Sequence, residues 1–138
     1  MMREFTIKLP IYLETGIRKK RKHYLNLNLY RNTPFHQNNS LKRAMKDLIF
    51  PLVPEEFWGI KLQNYEIEYE LYLPNKLKRD ISNVLSIVDK FSCDALVECG
   101  VLQDDNYEHL KKVTYRFGGF DKEKKGFVYM TIKEVENA

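Results

Sequence analysis

The nine residues YEIEYELYL, Tyr65 to Leu73, alternate without a break. Tyr65, Ile67, Tyr69, Leu71 and Leu73 take one side, and Glu66, Glu68, Glu70 and Tyr72 take the other. A period of two marks a strand with one face in a core and the other in water or against charge. A single strand of this kind is not stable alone, so the rest of the chain has to supply partner strands and a layer over the apolar face.

Candidate partners are present on both sides. EFTIKL (4–9) alternates in the same way, with Pro10 limiting central pairing. HYLNLNLYRN (23–32) alternates too and reads as a strand or an extended arm, while KVTYRF (112–117) and GFVYMTIKEV (126–135) read as a hairpin joined through GGFDKEKK. For the covering layer, Asn39 or Ser40 can cap a helix over LKRAMKDLIF, whose Leu41, Ala44, Met45, Leu48 and Ile49 share a face until Pro51. A longer helix is predicted from about Ser82 to Glu98, ending at Gly100, with Val84, Val88, Phe91 and Ala95 as its apolar stripe and Asn83, Ser86, Lys90 and Asp94 opposite. This order predicts an α/β (α+β) sandwich: a small mixed sheet with two main helices on one face, in a single domain over 1–138.

Composition narrows the class. With 138 residues, 43% hydrophobic and 13% aromatic, the chain can bury a core and is not of disordered type. No apolar run approaches the roughly 20 residues of a membrane span, MMREFTIKLP lacks a signal peptide's apolar centre, and Cys93 and Cys99 have no zinc-site spacing. The expectation is reduced structural thiols in a cytoplasmic protein with no membrane partner. The formal charge of +4 is concentrated in IRKKRKH (17–23) and KLKR (76–79), which favours a polyanionic partner.

The second cluster raises the functional question, because Lys76, Lys78 and Arg79 crowd one carboxylate, Asp80, just before the long helix. Two readings stand: a helix cap, or a carboxylate that with a second acidic site, Asp104 and Asp105, holds a hard divalent cation beside a phosphate. In the first cluster, Arg18, Lys19, Lys20, Arg21 and Lys22 lie beside Tyr24 and Tyr30, a mixture suited to phosphate contact and base stacking, or to a solvated loop before a packed strand.

RDISN, a helix containing DAL, a glycine, VLQDDNY, a strand and a last hairpin together resemble the RusA family of Holliday junction resolvases. The likeness covers the element order from residue 4 to 135 and is sharpest from Leu73 to Phe117. It implies an endodeoxyribonuclease that uses Mg2+, with Mn2+ as an alternative, and resolves Holliday junctions and other branched DNA as a homodimer by paired nicking. By resemblance Asp80 and Asp105 are the metal ligands with Asp104 beside them, Arg79 precedes the first aspartate, and Asn83 is the family's asparagine. Lys90, four residues before Asp94, stands for the helical lysine, and Lys76, Lys78 and Arg79 meet the phosphate.

Two departures bear on activity. Ser82 stands where the family has a second aspartate, and the segment between Asp80 and Asp94 is one helical turn longer, which leaves Ser86 where a lysine is expected. Asp94 lies about 16 Å of helix rise beyond Asn83, too far to join a metal at Asp80 within one chain, and Asp89 projects away from that line. The alternative is a noncatalytic junction-binding protein with an impaired metal site. A third is an interaction domain whose acids are only caps.

Overall fold

In a computed structural model, described over residues 2–136, the elements run β1 (Glu4–Pro10), β2 (Tyr12–Thr15), β3 (Arg21–Tyr24), α1 (Leu27–Asn32), α2 (Phe35–Ile49), β4 (Tyr65–Leu73), α3 (Ile81–Glu98), β5 (Leu110–Phe120) and β6 (Phe127–Glu134). Short 3-10 turns cover Phe50–Leu52 and Glu55–Phe57. β4 is the strand its alternation predicts: all five residues of the Tyr65 to Leu73 set are buried and the four between them are half-buried. The α+β class with a mixed sheet and two main helices holds. No helix among the described residues is long and apolar enough to cross a membrane.

The main sheet has the order β1-β6-β4-β5, with β4 and β5 parallel and the other neighbours antiparallel. This corrects the predicted terminal hairpin: β5 and β6 are neighbours in sequence but not in the sheet, because β4 lies between them. The side chains explain the placement. Val128, Met130 and Ile132 of β6 are fully buried, as a central strand requires, whereas β5 carries Lys111, Lys112, Arg116 and a glycine pair, which suit an edge. α3 makes the parallel crossover between β4 and β5 and packs on both, with α2 against its flank.

Further differences lie between residues 12 and 40. β2 and β3 pair as a hairpin around the basic tip. The alternating stretch 23–32, expected as a strand or an extended arm, is β3 only to Tyr24 and then turns into α1, because Asn26 accepts from the Leu29 N–H at 2.8 Å and caps a helix there. α2 starts at Phe35 after Pro34, so Asn39 and Ser40 lie inside it, and Ser40 donates to the His36 carbonyl. Pro51 lies in the 3-10 turn that follows α2. At the end of α3, Gly100 has φ +77° and its N–H reaches the Val97 carbonyl, the left-handed closure expected of a glycine there.

Candidate nucleic-acid interface

α3 has two ends of opposite character. At the N-terminal end, the loop after β4 and the start of α3 form one wall of a cleft of about 680 Å³, lined by Lys78, Arg79, Asp80 and Asn83. The opposite wall comes from Tyr24, Leu25, Asn26 and Asn28, and Lys124 enters from the β5–β6 loop. Three cations therefore line the same cleft as one carboxylate at the positive end of an 18-residue helix, an arrangement that attracts phosphate.

Asp80 occupies the N-cap position, but its side chain makes no capping hydrogen bond. The Asn83 N–H is satisfied by the Asp80 backbone carbonyl at 3.0 Å. Among the described residues no ion pair joins Asp80 to a cation. Arg79 is oriented locally, donating to Asn75 Oδ1 at 2.9 Å, and Asn75 also accepts from the Leu77 N–H. The loop is thus braced by its own asparagine while the carboxylate stays exposed and free.

Lys124 is held just as specifically. Asp121 accepts from the Glu123, Lys125 and Gly126 N–H groups at 2.9, 3.1 and 2.8 Å, which curls the loop and places Lys124 at φ +59°. Those backbone donors hold the Asp121 carboxyl below the usual carboxylate range. Lys124, Asn26 and Asn28 are the site residues that sequence reasoning missed. An asparagine before an apolar run was the available sign for Asn26, and an aspartate opening a Lys-Gly turn was the sign for Lys124.

At the other end of α3 the acids are engaged or remote from the cleft. Asp104 accepts from the Asp105 N–H at 2.8 Å and from the Asn106 side-chain amide, while its carbonyl takes the Tyr65 hydroxyl at 2.6 Å. Burial, followed by a hydrogen bond to Asp104 and the charge of Asp94, pushes the Asp105 carboxyl up. Asp94 itself faces Lys42 of α2 at 3.8 Å. Fourteen residues of helix between Asp80 and Asp94 correspond to about 20 Å. Asp80 and Asp105 therefore do not converge within one chain, which corrects that expectation. No group of three or more His, Cys, Asp or Glu placed to hold a metal occurs among the described residues.

Between the two ends sits Asp89, which faces the sheet. It accepts from the Tyr69 hydroxyl at 2.7 Å, the Tyr115 hydroxyl at 2.9 Å and the Cys93 thiol at 3.2 Å. Burial pushes the Tyr69, Tyr115 and Cys93 groups well up, so all three remain protonated donors. Both cysteines are free thiols.

Other expected site residues are dispersed. Lys90 lies over the Tyr30 ring at 5.5 Å rather than in the cleft, and Lys76 is exposed outside its lining. Arg18, Lys19 and Lys20 form the exposed β2–β3 tip, with Arg21 and Lys22 following on β3 and Lys22 over the Tyr12 ring at 4.3 Å. Ser82 is exposed in the first turn of α3, and the Ser86 hydroxyl is buried without a partner. Neither the protein-family models nor the curated proteins contain a match to this chain.

Proposed function

We propose that this protein binds branched DNA through the cleft at the N-terminus of α3 and cuts it as a Mg2+- or Mn2+-dependent endonuclease of the RusA type, acting as a homodimer. The observation that carries the reading is a free carboxylate, Asp80, that lines one cleft of about 680 Å³ together with Lys78, Arg79 and Lys124. Lys78 and Lys124 act as point charges on phosphate oxygens, and Arg79, braced by Asn75, offers a directed donor.

The donors at the cleft are oxygens, from Asp80 and the side-chain amides of Asn28 and Asn83, and a hard cation takes such ligands. Mg2+ is commonly held by one or two carboxylates together with substrate phosphate, so this set fits a cation that DNA helps to bind. When bound, the cation supplies charge neutralisation at the phosphate and activation of water.

A second reading, binding without cutting, is favoured by the single carboxylate in the cleft and the remote Asp105. The assay is incubation of a labelled four-way junction and a matched linear duplex with Mg2+, with Mn2+ and with chelator. Nicking of the junction that needs the cation and is lost in Asp80→Asn supports the nuclease. Junction binding with no nicking under either cation supports the second reading.

A further inference from the structure

The wall of the cleft that faces the cations carries an aromatic ring and amides instead of charge. Tyr24 is 50% exposed there, although it lies in a strand and Leu25 beside it is buried. The Asn26 amide is used within the protein, capping α1 and reaching the Tyr24 carbonyl at 3.3 Å. That of Asn28, exposed at the cleft, has no hydrogen-bond partner among the described residues.

The accessible surface does not end at that wall. A second groove, of about 530 Å³, adjoins the cleft across Tyr24, Asn26 and Asn28 and leads to Lys22, Asn32 and Thr33. The β2–β3 register sets up this side. Tyr12 and Tyr24 are opposed across the hairpin with ring centroids 5.8 Å apart, and Lys22, two residues before Tyr24 and so on the same face, lies over the Tyr12 ring at 4.3 Å. Glu14 is opposite Lys22 in the register, yet among the described residues the two form no ion pair, so the ammonium is open to another anion. Cations therefore stand on both sides of the wall, Lys78, Arg79 and Lys124 on one and Lys22 on the other, with an exposed ring and a free amide between them.

Charge, ring and charge in succession suit a single strand, because cations follow its phosphates while an aromatic face takes a base. A base inside a duplex has both faces covered by its neighbours and presents only its edges in the grooves, so Tyr24 gains little from a fully paired helix. The Asn28 amide holds a donor and an acceptor together, which matches the edge of a base that has lost its pairing partner. We propose that an unpaired strand passes from the Asp80 cleft over Tyr24 to Lys22, so that the preferred ligand is a duplex with a single-stranded flap, ahead of a fully paired junction. The inference rests on the nucleic-acid reading of the cleft and names the kind of branch that this cleft selects.

The test is a titration, in chelator and at one salt concentration, of three DNAs: a linear duplex, a fully paired four-way junction, and the duplex carrying a short oligothymidylate flap with 2-aminopurine at its first unpaired position. Wild type should bind the flapped duplex at least about tenfold more tightly than the linear one, the scale of one stacked base, and more tightly than the junction, with the 2-aminopurine fluorescence quenched. Tyr24→Ala should lose about tenfold in affinity for the flap together with the quenching, with a much smaller loss on the linear duplex, and Tyr24→Phe should keep both. Asn28→Ala, at an exposed position, gives a second reading should Tyr24→Ala not fold, and should weaken flap binding about fivefold, the scale of one hydrogen bond. Equal wild-type affinity for flap and duplex, tighter binding of the paired junction, or an equal loss on flap and duplex in the variants overturns the inference while leaving the cleft a DNA site. If wild type binds none of the three, the nucleic-acid reading itself has failed and the inference falls with it.

Discussion

The two ends of α3 show what the surroundings of an aspartate decide. At the N-terminal end Asp80 sits in the cap position with its carboxylate unengaged and three cations lining the same cleft; at mid-helix Asp89 receives three donors and at the far end Asp104 closes a turn. The same side chain is available for a ligand in one place and part of the scaffold in the others. Capping was the structural alternative for Asp80, and its lack of a capping hydrogen bond separates the two uses.

The largest expected effect falls on activity. Asp80→Asn should reduce cation-dependent nicking about 10²-fold or more, the scale of losing one preorganised electrostatic group. It should leave the melting temperature within about a degree, since asparagine suits an N-cap equally well and no capping bond is lost. A comparable loss of stability would show that Asp80 is structural after all, and can be checked by thermal denaturation beside the nicking assay.

Asp89→Ala should do the reverse. It removes the carboxylate acceptor of the Tyr69 and Tyr115 hydroxyls and of the buried Cys93 thiol, leaving Tyr69 only Ser92 Oγ at 3.1 Å, at a cost of about 1–3 kcal/mol for an orphaned buried group. Denaturant unfolding should report that loss, with junction affinity unchanged per folded molecule.

A smaller effect is expected from the acid-rich end. The Asp105 carboxyl is raised, so the folded state holds its proton more tightly than the unfolded state, and stability falls as pH rises from the ordinary aspartate value through the higher folded one. Asp105→Asn should remove that decline and raise the melting temperature slightly at pH 7. Asp121 has the opposite sign. Its lowered value contributes stability that is present above the ordinary aspartate pKa and is lost as pH falls through the folded one, and Asp121→Asn should flatten that acid limb.

How much of this was legible in sequence follows from the range of the forces involved. β4, α3 and the closure at Gly100 are encoded in short periodic signals, and they emerged as expected. The strand order was not legible, because whether β6 or β5 takes the central place and which is left at the edge depends on which strand can be buried on its helix-side face across a distance of many residues. α1 was hidden because LNLNLY alternates like a strand, and a single Asn26 cap together with packing of Tyr30 on Phe91 overrides the pattern. For the site, the Lys78 to Asn83 wall was visible as a local charge cluster, whereas Lys124 reaches it only through tertiary folding. The separation of Asp80 from Asp105 follows from the length of α3 once the turn before Asp105 is known to pack beside Tyr65.

The central claim is that the cleft at the N-terminus of α3 receives the DNA backbone. It is tested most directly by titrating a four-way junction at several salt concentrations with wild type and with Lys78→Ala/Arg79→Ala. If two phosphate contacts are lost, affinity at low salt should fall at least about tenfold and the slope of log affinity against log salt should shrink by about two. An unchanged affinity and slope would contradict the account and leave the cleft a feature of the fold alone.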